Sequence, residues 1–410
     1  MLFSSLRQTL ATLMVAVLVS ACGGSGGSSA PPPAGGITVT PGDGVATVTW
    51  TMAPGVKYWL FYAPSSTLST TDWINIPGSR AILDVTSPYV LTGLANGFNY
   101  SFTVNGRNGD GPGGNGSPTV TIVPRPAGGT WKAGGSLGSN TMRSITYGIG
   151  ADQLGYYFAV GDAGSTYRST DGLTWSGLPP VNSGANMNSA IYSLSKFIVV
   201  GANGSIRYGT DMSTWSSATS NSTETFNAVA SNGGLAVAVG NNGTVRTSTD
   251  GITWTAVTVP TTKNLHGVAY SGSGVWLAAG AGGTLLTSPD AATWTLVNSG
   301  TTSDLNAVAV QAYTSYVLIA AGNGGTLLTS TDNGVTWTAQ VSGTSSNLLA
   351  ISPSTNQVLI TGAAGAVLTS PTGTAWTVRS SGTTANLHSV ISGFAQYVAV
   401  GQGGISINSQ

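Results

Sequence analysis

Short apolar runs recur along the last two-thirds of the chain, each ended by a glycine and followed by a polar turn. In one copy, the alternation of apolar and polar residues predicts four strands, at His266–Tyr270, Val275–Ala279, Thr284–Ser288 and Thr293–Val297. The glycines that end the apolar runs are Gly161, Gly201, Gly240, Gly280, Gly322, Gly362 and Gly401. Seven copies of a four-strand unit predict an all-β protein, with a seven-bladed β-propeller over residues 125–410.

A tryptophan ends each copy. Six of them, separated by 40, 39, 40, 43 and 39 residues, are Trp175, Trp215, Trp254, Trp294, Trp337 and Trp376, and Trp131 lies 44 residues before the first. The seventh copy stops in its third strand, at Gly404–Asn408. We therefore expect Gly129–Trp131 to supply its fourth strand, with Ser406 and Asn408 in the serine and aspartate positions of the motif described next. Pairing of the first and last segments would close the propeller and leave no sheet edge exposed.

The motif Ser-x-Asp-x-x-x-Trp precedes these tryptophans and is nearly complete at 169–175 and 248–254. It resembles the Asp-box, or BNR repeat, of sialidase-type propellers. Its aspartates are Asp171, Asp211, Asp250, Asp290 and Asp332, and Thr372 replaces the aspartate in the copy that ends at Trp376. An aspartate in a turn accepts backbone amides, and a tryptophan fills the space between blades. We predict a structural role for these residues and no catalytic one.

The seven copies, with their Gly-x-x-Gly-Thr turns, are most similar to the photosystem II assembly and stability factors of chloroplasts and cyanobacteria and to related bacterial proteins. This resemblance covers residues 125–410, and it specifies fold more strongly than function. The lipoprotein signal and the first domain described below do not belong to that pattern.

Residues 37–124 form a separate region of short alternating runs, at Ile37–Thr40, Val45–Thr51, Tyr58–Tyr62, Tyr100–Val104 and Thr119–Val123. Their spacing predicts a β-sandwich. The region resembles a fibronectin type III domain: Trp50 stands where that family has a core tryptophan, and Leu94–Tyr100 matches its tyrosine corner, which implies that the Tyr100 hydroxyl bonds back to the chain. A spacer is the expected role, and a sugar- or polymer-binding module is the alternative.

The first 21 residues have the composition of a secretory signal, with Arg7 followed by an apolar run over Leu10–Val19. The sequence Val19-Ser20-Ala21-Cys22 resembles the bacterial lipoprotein box, which implies cleavage before Cys22 and acylation of its thiol. Because Gly23 is not aspartate, the outer membrane is the expected location. Residues 22–36, rich in Gly, Ser and Pro, predict a flexible tether. The alternative is an ordinary signal peptide with a chance cysteine.

Charge and composition narrow the classes of function. Charged residues make up 6% of the chain, with 13 basic and 13 acidic side chains and no basic stripe, so nucleic acid is not an expected partner. Cys22 is the only cysteine, which excludes an intrachain disulfide. His266 and His388 lie three copies apart, and we expect no metal or other cofactor.

A polar column enters the first strand of almost every copy and is the candidate binding face. Its members are Arg143, Asn188, Asn227, His266, Asn306, Leu349 and His388. They are either solvated residues at the channel mouth or a recognition ring. Arg207 and Arg246 hold equivalent third-strand positions, with Arg168 one residue out of register, and such a group could bind a carboxylate or sulfate. Asp162 is placed to pair with Arg143.

Catalytic residues are not evident. Glu224 is the only glutamate, and the carboxylates outside the Asp-boxes (Asp162, Glu224 and Asp304) belong to different copies. The sequence therefore predicts a monomeric, non-enzymatic, lipid-anchored envelope protein whose propeller binds a protein segment or a glycan. A sialidase-like glycoside hydrolase is the first alternative, and a purely structural or adhesion protein is the second.

Overall fold

The computed structural model describes residues 28–42, 44–124, 127–312, 316–354, 357–393 and 396–409. The signal sequence, Cys22 and the first residues of the tether lie outside this part of the chain. The chain forms two compact units that divide after residue 125. Both units are all-β, and no helix in the described ranges is long and apolar enough to cross a bilayer.

The first unit contains two antiparallel sheets. One consists of Thr38–Pro41, Val45–Thr49 and Tyr89–Thr92, and the other of Ser29–Ala30, Tyr100–Asn108, Val56–Ala63 and Arg80–Ile82, with Val120–Ile122 also paired to Tyr100–Asn108. A short 3-10 turn spans Trp73–Asn75. Trp50 is 6% exposed and packs with Tyr58 and Phe102 in the core, and the Tyr100 hydroxyl accepts a hydrogen bond from the Ala95 amide at 3.1 Å.

The predicted tether differs from the structure at its second half. Ser29 and Ala30 pair with Arg107 and Gly106, and Ala30 is 3% exposed. The prediction of a flexible coil over the whole of 22–36 is therefore wrong at these two residues. Backbone pairing needs no large side chain, and Gly106 leaves room for the Pro31 carbonyl, which lies 2.6 Å from where a Cβ would be.

The second unit contains seven four-stranded antiparallel sheets among its described residues. The first strands are Met142–Ile149, Met187–Ser193, Phe226–Ser231, Leu265–Tyr270, Leu305–Ala312, Leu348–Pro353 and Leu387–Gly393. The second strands are Gly155–Gly161, Lys196–Gly201, Ala236–Gly240, Trp276–Gly280, Tyr316–Gly322, Val358–Gly362 and Gln396–Gly401. The third strands are Thr166–Ser169, Ile206–Gly209, Val245–Ser248, Leu285–Ser288, Leu327–Ser330, Val367–Ser370 and Ser406–Ser409. The fourth strands are Ser176–Leu178, Ser216–Ser217, Thr255–Val257, Thr295–Val297, Thr338–Ala339, Thr377–Arg379 and Lys132–Ala133.

The sheets pack face to face. Each first strand contacts the first strand of the next sheet, and Leu387–Gly393 contacts Met142–Ile149. The second strands are buried almost throughout, because both of their faces meet a neighbouring sheet. Separate apolar clusters, each made from two adjacent sheets, therefore replace a single central core.

A tight turn joins the second and third strands, and its last residue is always glycine. In the fourth sheet Gly283 has φ of 73°, and a Cβ there would lie 2.0 Å from the Thr301 carbonyl oxygen. Thr301 precedes the first strand of the following sheet. Glycine is thus required both by the left-handed backbone and by the close approach of the next sheet.

The seventh sheet takes its fourth strand from the start of the unit, but three residues later than predicted. Lys132–Ala133, not Gly129–Trp131, pairs with Ile407 and Asn408. The motif serine is Ser409, whose hydroxyl accepts the Gly128 amide at 2.6 Å, while Ser406 bonds to the Gly135 carbonyl. The assignment of Ser406 and Asn408 to the motif is therefore wrong. Alternation alone did not fix the register, since Ser406–Ser409 is buried on both faces.

Candidate functional site

A β-bulge opens the first strand of every sheet. The pairing register shifts across Met142/Ser144, Met187/Ser189, Phe226/Ala228, Leu265/Gly267, Leu305/Ala307, Leu348/Ala350 and Leu387/Ser389. The residue before the bulge is fully buried in each sheet. The extra residue is the member of the polar column, and a bulge turns its side chain away from the regular alternation of the strand.

The bulges bring the whole column together around one cavity of about 550 Å³. Its lining consists of Arg143, Asn188, Asn227, His266, Asn306, Leu349 and His388, together with Asn186, Ala202 and Thr225. Residues separated by up to 245 positions in sequence (143 to 388) thus form a single polar mouth.

The asparagines of the column link neighbouring sheets. The Nδ2 atoms of Asn188, Asn227 and Asn306 donate to the carbonyl oxygens of Phe226, Leu265 and Leu348 at 2.8, 2.8 and 2.9 Å. Each acceptor belongs to the first strand of the following sheet. No described residue donates to the three amide oxygens, so the lining retains hydrogen-bond acceptors after the structural bonds are made.

The charged residue of the lining is Arg143, which pairs with Asp162, a residue outside the lining. Arg143 Nε lies 2.5 Å from Asp162 Oδ1, the pairing anticipated from the sequence, and the two side chains are 38% and 30% exposed. Burial lowers the pKa of His388, the nearby Arg143 lowers it further, and Asp162 opposes the shift. His388 is therefore neutral at pH 7. The Nδ1 atom of His266 is buried and has no partner in the described part of the chain.

The remaining arginines of the predicted binding face do not reach the cavity. Arg246 donates to the backbone carbonyls of Ser220 and Asn221 at 3.0 and 3.2 Å, Arg207 donates to the Ser217 hydroxyl, and Arg168 lies 4.9 Å from the Tyr156 ring. All three are on third strands, which lie two strand spacings, about 10 Å, from the first strands. The structure therefore separates these arginines from the column with which the sequence grouped them.

The Asp-box residues form local contacts in the turns between third and fourth strands. Asp250 Oδ1 accepts the amides of Ile252 and Thr253 at 2.7 and 2.9 Å, and Trp254 Nε1 donates to the Gly251 carbonyl at 3.3 Å. These amide bonds lower the pKa of Asp250. Equivalent turn-amide bonds are made by Asp171, Asp211, Asp290 and Asp332.

Carboxylates and possible metal ligands are dispersed. Glu224 accepts the Asn242 amide at 3.0 Å, Asp304 accepts the Gly282 backbone amide at 2.7 Å, and neither lines the cavity. Among the residues that the structure describes, no three His, Cys, Asp or Glu side chains are grouped so as to hold a metal ion.

One set of residues adjacent to the site was not recognised from the sequence. In five sheets the residue before the buried apolar residue caps the turn of the preceding sheet with its side-chain oxygen: Asn186 accepts the Ala163 amide at 3.1 Å and Asn386 the Ala364 amide at 2.9 Å. Asn264, Asp304 and Asn347 do the same. An Asn or Asp before the large apolar residue recurs in five copies, and this signal could have revealed them.

Comparison with solved structures shows a β-propeller fold. A structure of YCF48 bound to a D1 peptide has 22% identity and a TM-score of 0.56, covering 68% of this chain and 94% of that one. YCF48 from Cyanidioschyzon merolae has 18% identity and a TM-score of 0.55, with coverages of 68% and 98%. A streptogramin B lyase has 11% identity, a TM-score of 0.58 and coverages of 68% and 97%. No family model and no curated protein matches the chain.

Proposed function

We propose that the second unit is a seven-bladed propeller, closed by its first and last segments, that binds a protein segment at the polar mouth. The observation that carries this proposal is the convergence of all seven bulge residues on one cavity. The cavity offers three amide oxygens without donors, neutral His388, and Arg143 already paired with Asp162. Such a lining suits the N–H groups of a peptide better than an anion.

The fold comparison supports the same role, because one of the similar structures is YCF48 bound to a D1 peptide. A non-enzymatic platform accords with a lining that contains no carboxylate. Hydrolysis of glycans is the second candidate, and it has weaker support, since Glu224 and Asp304 are bonded to different turns and neither lines the cavity.

A peptide selection tests the proposal. Peptides would be selected from a random display library on the wild-type chain, and their affinities would be measured by calorimetry. We expect Leu349→Trp, which fills the mouth, and Arg143→Met to weaken binding by about tenfold or more. Arg246→Ala is the matched control, because Arg246 bonds to a loop outside the cavity. Selected peptides that bind all variants equally would place the site elsewhere, and failure to select any would contradict the proposal.

The location of the protein is also a proposal. We propose that acylation of Cys22 anchors the chain to the outer membrane, with the fibronectin type III-like first unit as a spacer. Its support is the residue pattern around Cys22 alone. Labelled palmitate should enter the wild-type chain and be absent from Cys22→Ser, which should also move to the soluble fraction. Equal labelling of both chains would refute the anchor.

A further inference from the structure

The large sheet of the first unit is apolar on both faces. In Val56–Ala63, Tyr58 and Leu60 enter the core between the sheets, whereas Trp59 and Phe61 pack with Leu68 and Trp73 on the opposite side. A sheet face directed to solvent normally carries polar residues. The run Tyr58–Tyr62 in the sequence, five large residues without interruption, is the signal for this second apolar face.

A cavity of about 780 Å³ lies on this second face. Trp59, Phe61 and Trp73 form its aromatic wall, with ring centroids 5.6 Å apart for Phe61 and Trp73 and 6.5 Å apart for Trp59 and Phe61. Asn105 and Arg107, on the neighbouring strand, supply polar groups. The segments Ser29–Pro32 and Gly113–Asn115 border the cavity, so it is built entirely within the first unit.

Three polar atoms of this wall lack partners. The Arg107 guanidinium carbon lies 3.1 Å from the Trp59 ring centroid, and Arg107 forms no ion pair with any described residue. Arg107 Nε, Trp59 Nε1 and Asn105 Oδ1 are buried without a hydrogen-bond partner in the described ranges, and Asn105 is only 4% exposed. Buried polar groups are nearly always paired in native proteins, so three orphans at one cavity indicate a ligand.

The chemistry of the wall defines that ligand. Two N–H groups require acceptors, one amide oxygen requires a donor, and the unpaired guanidinium requires a negative charge. The aromatic rings require an apolar face. A sugar ring supplies hydroxyls that both donate and accept, together with a C–H face, and a carboxylate on the sugar supplies the charge. An inorganic anion would satisfy Arg107 but would leave Asn105 and the rings unmatched.

We propose that this cavity binds a saccharide that carries carboxylates, with its ring on the Trp73 side and its carboxylate at Arg107. The first unit then contributes recognition of an acidic polysaccharide, in addition to its role as a spacer. This site is independent of the propeller mouth, and its loss leaves the proposed peptide binding intact.

Calorimetry on the full-length chain in detergent tests the proposal, with hexagalacturonate and hexamannuronate as acidic probes and cellohexaose as the neutral one. We expect at least one acidic probe to bind, and Arg107→Met to weaken it by about tenfold, to the level of cellohexaose. Lys57→Met is the matched control: Lys57 is the strand neighbour of Arg107, but it pairs with Asp110 and does not line the cavity.

A second variant distinguishes loss of the binding site from misfolding of the first unit. Asn115 is exposed at the rim, so Asn115→Trp should obstruct the cavity without disturbing the core, and it too should weaken binding. Three results would overturn the proposal: no binding of either acidic probe, equal binding by Asn115→Trp and wild type, or cellohexaose binding as tightly as the acidic probes.

Discussion

The second unit has two features that recur from sheet to sheet: the outer turns, where side chains are repeated, and the inner bulges, where only the backbone geometry is repeated. At the outer turns, side chains recur with the same contacts, as in the amide bonds of Asp171 and Asp250. At the inner bulges the backbone recurs in all seven sheets, but the side chain changes between arginine, asparagine, histidine and leucine.

This difference indicates that the outer turns have a structural role, whereas the residues at the inner bulges can vary to suit a ligand. The hydrogen bonds of each outer turn form only with particular side chains, so those side chains recur from copy to copy. A bulge is specified by its buried neighbour and by the small residue after it, which leaves the bulged residue free to vary. Variation on a constant backbone is therefore where a binding preference can be encoded.

Removal of an outer tryptophan should have the largest effect. Trp254 is 2% exposed, packs against the second strand of the preceding sheet, and donates to the Gly251 carbonyl. We expect Trp254→Ala to lower the free energy of unfolding by about 3–5 kcal/mol, measured by urea denaturation.

Two further substitutions test whether an outer turn contributes more to the free energy of unfolding than an inner bulge does. Trp175 holds the same motif position but is half-buried, with no partner for Nε1 among the described residues, so Trp175→Ala should cost less. Leu349, at a bulge, is also half-buried, and Leu349→Ala should cost about 1 kcal/mol or less. A cost for Leu349→Ala equal to that for Trp254→Ala would remove the distinction between the two places.

Low pH should destabilise the protein through the aspartates of the outer turns. The Thr336 hydroxyl and amide, with Ser330, lower the pKa of Asp332 from 3.8 to about 2. Because the folded chain favours the carboxylate, this stabilisation is complete above the unfolded pKa and is lost as pH falls toward 2. We expect Asp332→Asn to flatten the fall in unfolding free energy over this range, followed by urea denaturation at each pH.

The sixth sheet provides the reciprocal variant, since Thr372 occupies the aspartate position there. Thr372→Asp should accept the amides of Thr374 and Ala375, stabilise the protein at neutral pH and steepen the acid dependence. An acid profile that neither substitution changes would mean that other carboxylates control it.

The sequence predicted the fold and the membership of the polar column, because both depend on a period that is visible in one dimension. Tryptophans near every fortieth residue, and a polar residue after six of the seven buried Met, Phe or Leu residues, were sufficient. The arginines were grouped with the column by their polarity, although third strands lie two strand spacings, about 10 Å, from first strands. The register of the seventh sheet was misjudged because its motif is split between Ser409 and Gly128, at opposite ends of the unit.

The pocket of the first unit was missed for another reason. Its polar members, Asn105 and Arg107, lie on a strand whose alternation predicts a solvent-exposed face. Only the three-dimensional structure shows that Trp73, from the 3-10 turn Trp73–Asn75, covers that face. A site that occurs once in the chain leaves no repeating pattern in the sequence.

The smallest expected effect tests whether a bulge residue is free to change. Leu349 is the one apolar member of the column. In the preceding sheet, Asn306 donates to the Leu348 carbonyl of the next sheet at 2.9 Å. The Leu387 carbonyl holds the equivalent position next to Leu349. Leu349→Asn should form the equivalent bond and raise the free energy of unfolding by about 0.5–1.5 kcal/mol. Asn306→Leu should have the opposite sign, because it leaves the Leu348 carbonyl unpaired. If Leu349→Asn destabilises the chain while Asn306→Leu does not, the bulge positions do not share one geometry, and variation along the column cannot be interpreted as a choice of ligand contacts.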